Sequence, residues 1–153
     1  FGLSGFLAYL DAEPDSFLDE DGDGFVDTQV ITNAPEWTGA IRANFDFPIQ
    51  NGLITASLGY SYRDDSVLTN EGGPDPFNPT QPLLPIAQPS YDLLNAWISW
   101  LSGDGKWNFT INGKNLTDEE YLTSGYNLPT LGVLTGSYGN PMRITGTIGY
   151  KLF

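Results

Sequence analysis

Four aspartates in one short run have the type and spacing needed to bind a cation. Within LDEDGDGFVD, Asp19, Asp21 and Asp23 occupy alternate positions, Gly24 follows them, and Asp27 comes three residues further on. Alternate carboxylates place oxygen ligands around a hard cation, and a glycine after them permits the sharp turn that the loop needs. The spacing therefore predicts a calcium loop.

This run departs from an EF-hand in two ways. Val30 stands where the terminal bidentate glutamate would be, and no helical pattern flanks the loop. The predicted ligands are the four aspartates and the backbone carbonyl of Phe25, a small set that predicts weak affinity and a role in stiffening a loop. A solvated acidic turn would explain the same residues, so the sequence leaves both interpretations open. No other cofactor is expected.

The composition argues against several classes of function. The 153 residues include no His and no Cys, which removes the usual general base, the usual zinc ligands and thiol chemistry. With 19 acidic and 6 basic residues the net charge is −13, and the basic residues are spread along the chain rather than clustered for phosphate. Carboxylates abound, but no identifiable rigid frame pairs two of them for glycosidase chemistry. We expect neither an enzyme nor a partner for nucleic acid.

Alternating apolar and polar residues define the elements that must position any site. Successive side chains of a strand point to opposite faces, so each such segment predicts a strand with one apolar and one polar face. The predicted strands are residues 1–12, 35–49, 53–64, 91–100, 107–114 and 142–153. The fold class is therefore all-β, as an antiparallel meander of about six strands.

The connections between these strands alternate in length. Short turns follow Ile49 and Leu101, whereas long polar segments follow Ala12, Asp64 and Glu120. Proline is so dense in the second long segment that we expect neither a ladder nor a helix there, and residues 121–141 are expected to be a loop. Short turns at one end, long loops at the other and strands of about 10 residues are typical of outer-membrane β-barrels.

Several stretches carry a family resemblance. The run GKNLTDEEY at residues 113–121 resembles a segment near the end of TonB-dependent outer-membrane receptors, through Gly113, Lys114, Asn115, Leu116, Thr117, Asp118 and Tyr121. APEWT (34–38), YSYRD (60–64) and SYDLLNA (90–96) resemble the same family in the same order. The final Phe153 is similar to the aromatic end of bacterial barrels, although Tyr150 stands three residues before it where two are usual.

The resemblance implies that residues 1–153 are the C-terminal segment of a large transmembrane receptor barrel, because about six strands are fewer than the smallest closed barrel. The plug domain and the earlier strands would lie outside this chain. The implied function is TonB-dependent uptake of a scarce siderophore, cobalamin or carbohydrate across the outer membrane of a Gram-negative bacterium. The implied partners are outer-membrane lipid, the rest of the barrel and plug, and TonB through the N-terminal part that this chain lacks.

The resemblance also places ligand contacts on extracellular loops and on polar residues near their mouths. The residues predicted on this basis are Arg63, Asp64, Trp97, Asn115, Tyr126 and Tyr138. Packing of the loops, or hydrogen bonding inside the barrel, is the alternative role for each. Aromatic residues near strand ends would form girdles at the membrane interfaces, with Trp97 set apart from them because it falls on the polar parity.

Other interpretations of the same strands remain open. The main alternative is a secreted, calcium-stabilised β-sandwich that binds carbohydrate. Two glycosylation sequons, at Asn108 and Asn115, fit a secreted protein, but a glycan on the mid-strand Asn108 would be awkward. A passive porin would share the architecture without the receptor-like stretches.

Overall fold

The computed structural model describes residues 1–13, 31–69, 74–75, 78–82, 86–128 and 131–152. The predicted calcium loop, with its ligands from Asp19 to Asp27, lies outside these residues. The strands in chain order are β1 (Gly2–Tyr9), β2 (Trp37–Ile49), β3 (Gly52–Arg63), β4 (Ser66–Val67), β5 (Pro74–Asp75), β6 (Asn78–Pro82), β7 (Ala87–Gln88), β8 (Tyr91–Ser102), β9 (Trp107–Lys114), β10 (Leu122–Leu128), β11 (Val133–Tyr138) and β12 (Arg143–Tyr150).

Six long strands form one antiparallel sheet in the order β1-β2-β3-β8-β9-β12. Every neighbouring pair in this sheet is antiparallel. The all-β class and the six-strand antiparallel meander are therefore confirmed. Within the described part of the chain the sheet is open, with β1 at one edge and β12 at the other.

The register aligns the alternation of each strand with that of its neighbours. Ile41 lies opposite Tyr60, which lies opposite Leu94, whereas Ser57 lies opposite Trp97 on the other parity. Because a strand shifted by one residue would exchange its faces, this register keeps one face apolar across all six strands. We call this the apolar face; it carries Leu3, Leu7, Tyr9, Trp37, Ile41, Phe45, Phe47, Ile54, Leu58, Tyr60, Tyr62, Leu94, Ile98, Trp100, Trp107, Phe109, Ile111, Ile144, Ile148 and Tyr150.

The opposite surface, which we call the polar face, carries hydroxyl, amide and basic side chains together with a few large apolar ones. Phe6 belongs to it because it lies opposite Ala40, and Trp97 belongs to it because it lies opposite Ser57 and Asn112. The sequence parity had placed Trp97 on this side, and the register confirms it.

The turns lie as the sequence predicted. Residues 50–51 connect β2 to β3, and Gly52 takes a φ of 144°, a region that favours glycine. Residues 103–106 connect β8 to β9 at the same end of the sheet. We call this the short-turn end, and the opposite end, where chain segments of more than 20 residues leave the sheet, the long-connection end.

Two predictions about the long connections were wrong. Residues 121–141 contain a hairpin of β10 and β11 rather than only a loop. The proline-rich segment contains a short ladder between β5 and β6, with Pro74 opposite Pro82, and β4 pairs with β7 nearby. Proline is excluded from central strands but tolerated in short strands that have only one neighbour, and both ladders are two-stranded.

No apolar core lies inside the described residues. None of their large apolar side chains is buried, and Leu7, Ile144 and Ile148 are 72 %, 64 % and 69 % exposed. The buried side chains are instead polar: Ser57, Ser66, Thr69, Gln88 and Asn115. The sheet therefore presents a wide apolar surface that nothing in the described part of the chain covers.

Candidate functional site

A trough of about 680 Å³ lies on the polar face, toward the long-connection end. Four long strands and β1 contribute to it. Its polar and aromatic lining comprises Ser4, Phe6, Arg42, Ser57, Ser61, Asn95, Trp97, Asn112 and Lys114. It combines hydroxyls, amides, cations and aromatic rings, which are the kinds of groups that bind a polar ligand.

One cross-strand row of this face is basic. Ser4 lies opposite Arg42, Arg42 opposite Gly59, and Gly59 opposite Asn95. The β8–β9 ladder pairs Ala96 with Gly113, so in the same register the next residues, Asn95 and Lys114, lie opposite each other. Lys114 in turn lies opposite Arg143. We call Arg42, Asn95, Lys114 and Arg143 the basic row.

The next row toward the short-turn end carries the aromatic ring of the trough. Trp97 lies between Ser57 and Asn112, and 37 % of its surface is exposed. Two residues along a strand span about 7 Å, so this row and the basic row are about that far apart. The prediction that Trp97 lies on the polar face near a site is consistent with this placement.

Nearer the short-turn end, the polar face bonds to itself. Ser99 Oγ and Thr110 Oγ1 are 2.9 Å apart, Asn108 Nδ2 donates to Ser99 Oγ at 3.1 Å, and Thr110 Oγ1 donates to Asn108 Oδ1 at 3.0 Å. Since these groups satisfy one another, this part of the face has little capacity left for a ligand.

Asn115, another predicted contact, is the centre of a buried turn after β9. Its backbone adopts a φ of 48° and its side chain is 3 % exposed. Nδ2 donates to the carbonyls of Glu119 at 2.9 Å and Asn140 at 3.0 Å, while Oδ1 accepts from Glu119 N–H at 2.9 Å. The backbone N–H of Asn115 donates to Asn95 Oδ1 at 3.0 Å. Asn115 therefore joins three separate parts of the chain, and its side chain is too buried to contact a ligand.

The same turn is locked by its neighbours. The backbone N–H of Leu116 donates to Leu94 O at 2.8 Å, and that of Met142 donates to Asp118 Oδ1 at 3.0 Å. Leu116 folds back over Gly113, where a Cβ would lie 2.6 Å from Leu116 Cδ2. The residues of the receptor-like run thus have a physical role as the clamp between β8, β9 and the start of β12.

Arg63 and Asp64 lie where β3 leaves the sheet. Arg63 donates from Nη2 to Asn33 O at 3.5 Å, and Asp64 Oδ1 accepts from Tyr62 Oη at 3.1 Å and from Asp65 N–H at 3.0 Å. Arg63 therefore joins the connection before β2 to the sheet end, whereas the Asp64 side chain bonds only to its neighbours, and neither residue lines the trough.

Tyr126 and Tyr138 lie on the β10–β11 hairpin and are 58 % and 69 % exposed. Tyr126 lies opposite Thr135, whereas Tyr138 lies opposite Leu122 on the other parity of the hairpin. The structure therefore does not bring the two rings together on one face. It also separates both from the trough lining, to which only Trp97 of the six predicted contacts belongs.

The basic row is what sequence reasoning missed. Arg42, Lys114 and Arg143 are 72 and 29 residues apart in sequence, and only the register places them in one row. The signal in the sequence is that all three fall on the polar parity of their strands, with Lys114 and Arg143 at strand ends that face a long connection.

In the described ranges, no group of three or more Asp, Glu, His or Cys side chains is arranged to hold a metal ion. The calcium prediction stays a prediction, because its loop lies elsewhere. The described part of the chain also has no helix that is long and apolar enough to cross a membrane.

Comparison of the chain with family models, with characterised proteins and with solved structures found no match.

Proposed function

We propose that this chain is part of an outer-membrane β-barrel that takes up a scarce ligand, in the manner of the TonB-dependent receptors that its sequence resembles. The observation that carries the proposal is the apolar face. It extends over six strands in register and leaves large apolar side chains such as Leu7, Ile144 and Ile148 exposed. Burying one Leu, Ile or Phe side chain contributes about 1.5–3 kcal/mol, so a surface of this width requires an apolar neighbour.

Lipid suits the dimensions of this face. β2, β3 and β8 have 13, 12 and 12 residues, and a tilted strand of about 9–11 residues crosses the hydrocarbon core. The remaining residues of each strand would extend beyond the membrane. The two open edges at β1 and β12 would pair with the other strands of the barrel, since an unpaired edge in lipid is very costly.

The distribution of aromatic rings along the apolar face also favours a membrane. At the short-turn end, the Trp107 and Tyr150 ring centroids are 4.5 Å apart and those of Trp100 and Phe109 5.6 Å apart. At the long-connection end, the Tyr9 and Trp37 rings are 4.8 Å apart. Aliphatic residues such as Leu58, Ile98 and Ile111 lie between them. Two aromatic bands around an aliphatic one are typical of a protein that spans a bilayer.

In this proposal the polar face lines the lumen and the long connections lie outside the cell. Ligand contacts would come from Trp97 in the trough, from Arg63 and Asp64 at the sheet end, and from the exposed Tyr126 and Tyr138. Asn115 is left out of this set because its amide is buried and bonded within the chain.

Two neighbouring positions on β8 provide the test. The chain has no native Cys, so Ile98→Cys and Ser99→Cys each introduce one labelling site, the first on the apolar face and the second on the polar face. Each variant would be labelled with a small fluorophore and reconstituted from a detergent extract of outer membranes. We expect brominated phospholipid to quench the label at position 98 strongly and the label at 99 weakly, and aqueous iodide to do the reverse.

Recovery of the polypeptide in the soluble fraction would contradict the proposal. So would equal quenching of both labels by iodide, because a label that faces lipid is shielded from an aqueous quencher. A label at position 98 that neither quencher reaches would favour the sandwich alternative, in which a second sheet covers this face. Tryptophan fluorescence of the unlabelled variants serves as the control for folding.

A further inference from the structure

The polar face is basic although the chain is strongly acidic. Of 6 basic residues in a chain of net charge −13, four project from this face of the long strands: Arg42, Arg63, Lys114 and Arg143. One acidic residue, Asp46, shares the face, at the short-turn end of β2. A positive surface on an acidic protein concentrates anions at that surface.

Within the basic row, two cations directly face each other. Lys114 on β9 lies opposite Arg143 on β12, and both side chains are exposed. Like charges at directly opposite positions of an antiparallel pair destabilise it. An anion bound between them would convert this repulsion into two charge-assisted hydrogen bonds. Arg42 completes the row across the trough, with Nε lying over the bare backbone of Gly59, 3.8 Å from where a Cβ would be.

The trough also offers groups for a ring that carries hydroxyls. Trp97 supplies an indole surface, Asn112 opposite it supplies an amide, and Ser61 supplies a hydroxyl on the far side of the basic row. Asn95 Oδ1 already accepts a hydrogen bond from the backbone N–H of Asn115. The Asn95 side chain can therefore offer a ligand its donor atom, Nδ2. The basic row lies about 7 Å from Trp97 along the strands, so the acidic substituents of a sugar chain that stacks on Trp97 can reach its cations.

From these observations we infer that the trough binds an acidic oligosaccharide, with one ring stacked on Trp97 and the carboxylates of its successive hexuronate units on the cations of the basic row, Arg42, Lys114 and Arg143. The inference rests on the proposed function and names the substrate class for it. The basic row lies at the ends of β9 and β12 that face the long connections, which is the end from which an external ligand would arrive.

The test compares two oligosaccharides of equal length on the polypeptide purified in detergent from its native membrane. Titration with tetragalacturonate, followed by Trp fluorescence and calorimetry, is set against titration with the neutral cellotetraose. We expect tetragalacturonate to bind at least about tenfold more tightly, with an affinity that falls as salt is raised. Lys114→Gln with Arg143→Gln should weaken tetragalacturonate about tenfold or more and leave cellotetraose unchanged. Lys106→Gln, which removes a cation at the short-turn end, is the matched control and should leave both unchanged.

Equal affinity for the two oligosaccharides would overturn the inference. So would preferential binding of tetragalacturonate that the Lys114 and Arg143 substitutions do not weaken, because the anion would then lie elsewhere. If brominated phospholipid quenches a label at position 98 of the same polypeptide, either result leaves the proposed function intact. A soluble polypeptide would instead refute the proposed function, whatever it binds.

Discussion

The two turns that flank β9 are built differently. Before the strand, the side-chain hydrogen bonds of residues 102–106 are all local: Lys106 N–H donates to Asp104 Oδ1 at 3.0 Å and Trp107 N–H donates to Ser102 Oγ at 2.9 Å. After it, Asn115 bonds to Asn95 and Asn140, 20 and 25 residues away. The first turn is solvent-exposed, whereas the second contains one of the most buried side chains described.

The difference shows which hydrogen bonds fix the chain at each end of the sheet. At the short-turn end, the turn only reverses the chain, so local side-chain hydrogen bonds suffice beside the backbone bonds from Gly103 to Asn51 and from Lys151 to Lys106. At the long-connection end, residues 115–142 must leave β9 and return to β12, and a side chain with several donors and acceptors can join the two ends of this segment. Because the sheet has no described apolar core, such polar clamps carry more of the specific structure than they would in a core-stabilised protein.

The largest expected effect comes from removing the clamp. Asn115→Ala should destabilise the folded protein by about 4 kcal/mol, because three hydrogen bonds between its side chain and the backbone are lost and alanine tolerates a φ of 48° less well than asparagine. Denaturant unfolding in lipid vesicles measures the change. Thr117→Ala, whose hydroxyl lies 3.4 Å from Asn115 Oδ1 at an exposed position, is the control and should cost under about 1 kcal/mol. Equal losses would contradict the central role of Asn115.

A smaller effect is expected where Leu116 packs on the strand. Gly113→Ala would place its Cβ 2.6 Å from Leu116 Cδ2, so the leucine must shift, at a cost of about 1–2 kcal/mol. Gly146→Ala is the matched control, since β12 lies beside β9 and a Cβ at Gly146 meets nothing within 4 Å. The two variants are compared by the same unfolding measurement. If Gly146→Ala lowered the free energy of unfolding as much as Gly113→Ala, replacing any strand glycine would be destabilising, and the contact with Leu116 would not be the cause.

The smallest effect is expected in the turn before β9. The hydroxyl of Ser102 and the backbone N–H of Lys106 bond to Asp104 and lower the pKa of that carboxyl below its ordinary value of 3.8. A lowered folded-state pKa contributes stability above the unfolded value, and this is lost as pH falls through the folded value. Asp104→Asn should therefore lower the unfolding midpoint slightly at pH 7 and not at all near pH 2. An equal decrease at both pH values would mean that the charge of Asp104 does not contribute.

Much of the fold followed from alternation alone. The six long strands, the two short turns and the polar-face position of Trp97 were all predicted, because a period of two is a property of neighbouring residues. The β10–β11 hairpin was missed, since Leu122–Leu128 and Val133–Tyr138 are interspersed with Gly, Thr and Ser that resemble a loop. The short ladder of β5 and β6 does not follow from the sequence, because dense proline argues against a ladder and is tolerated here only since each strand has one neighbour.

The candidate site was less predictable. Trp97 was identified by its parity, but the row of Arg42, Lys114 and Arg143 was not, and Asn115 was expected to meet a ligand. A sequence does not show which strand residues lie opposite each other across 29 or 72 intervening positions, nor whether an amide is free or already bonded.

By itself the sequence determined the all-β class, the faces of each strand, the acidic charge and the absence of Cys and His, since these depend on residue type and local spacing. The tertiary structure alone decided which side chains share a row, that the trough joins Trp97 to a basic row, and that Asn115 is a buried clamp. The physical reason is register: antiparallel pairing fixes cross-strand neighbours through backbone hydrogen bonds made far apart in the chain.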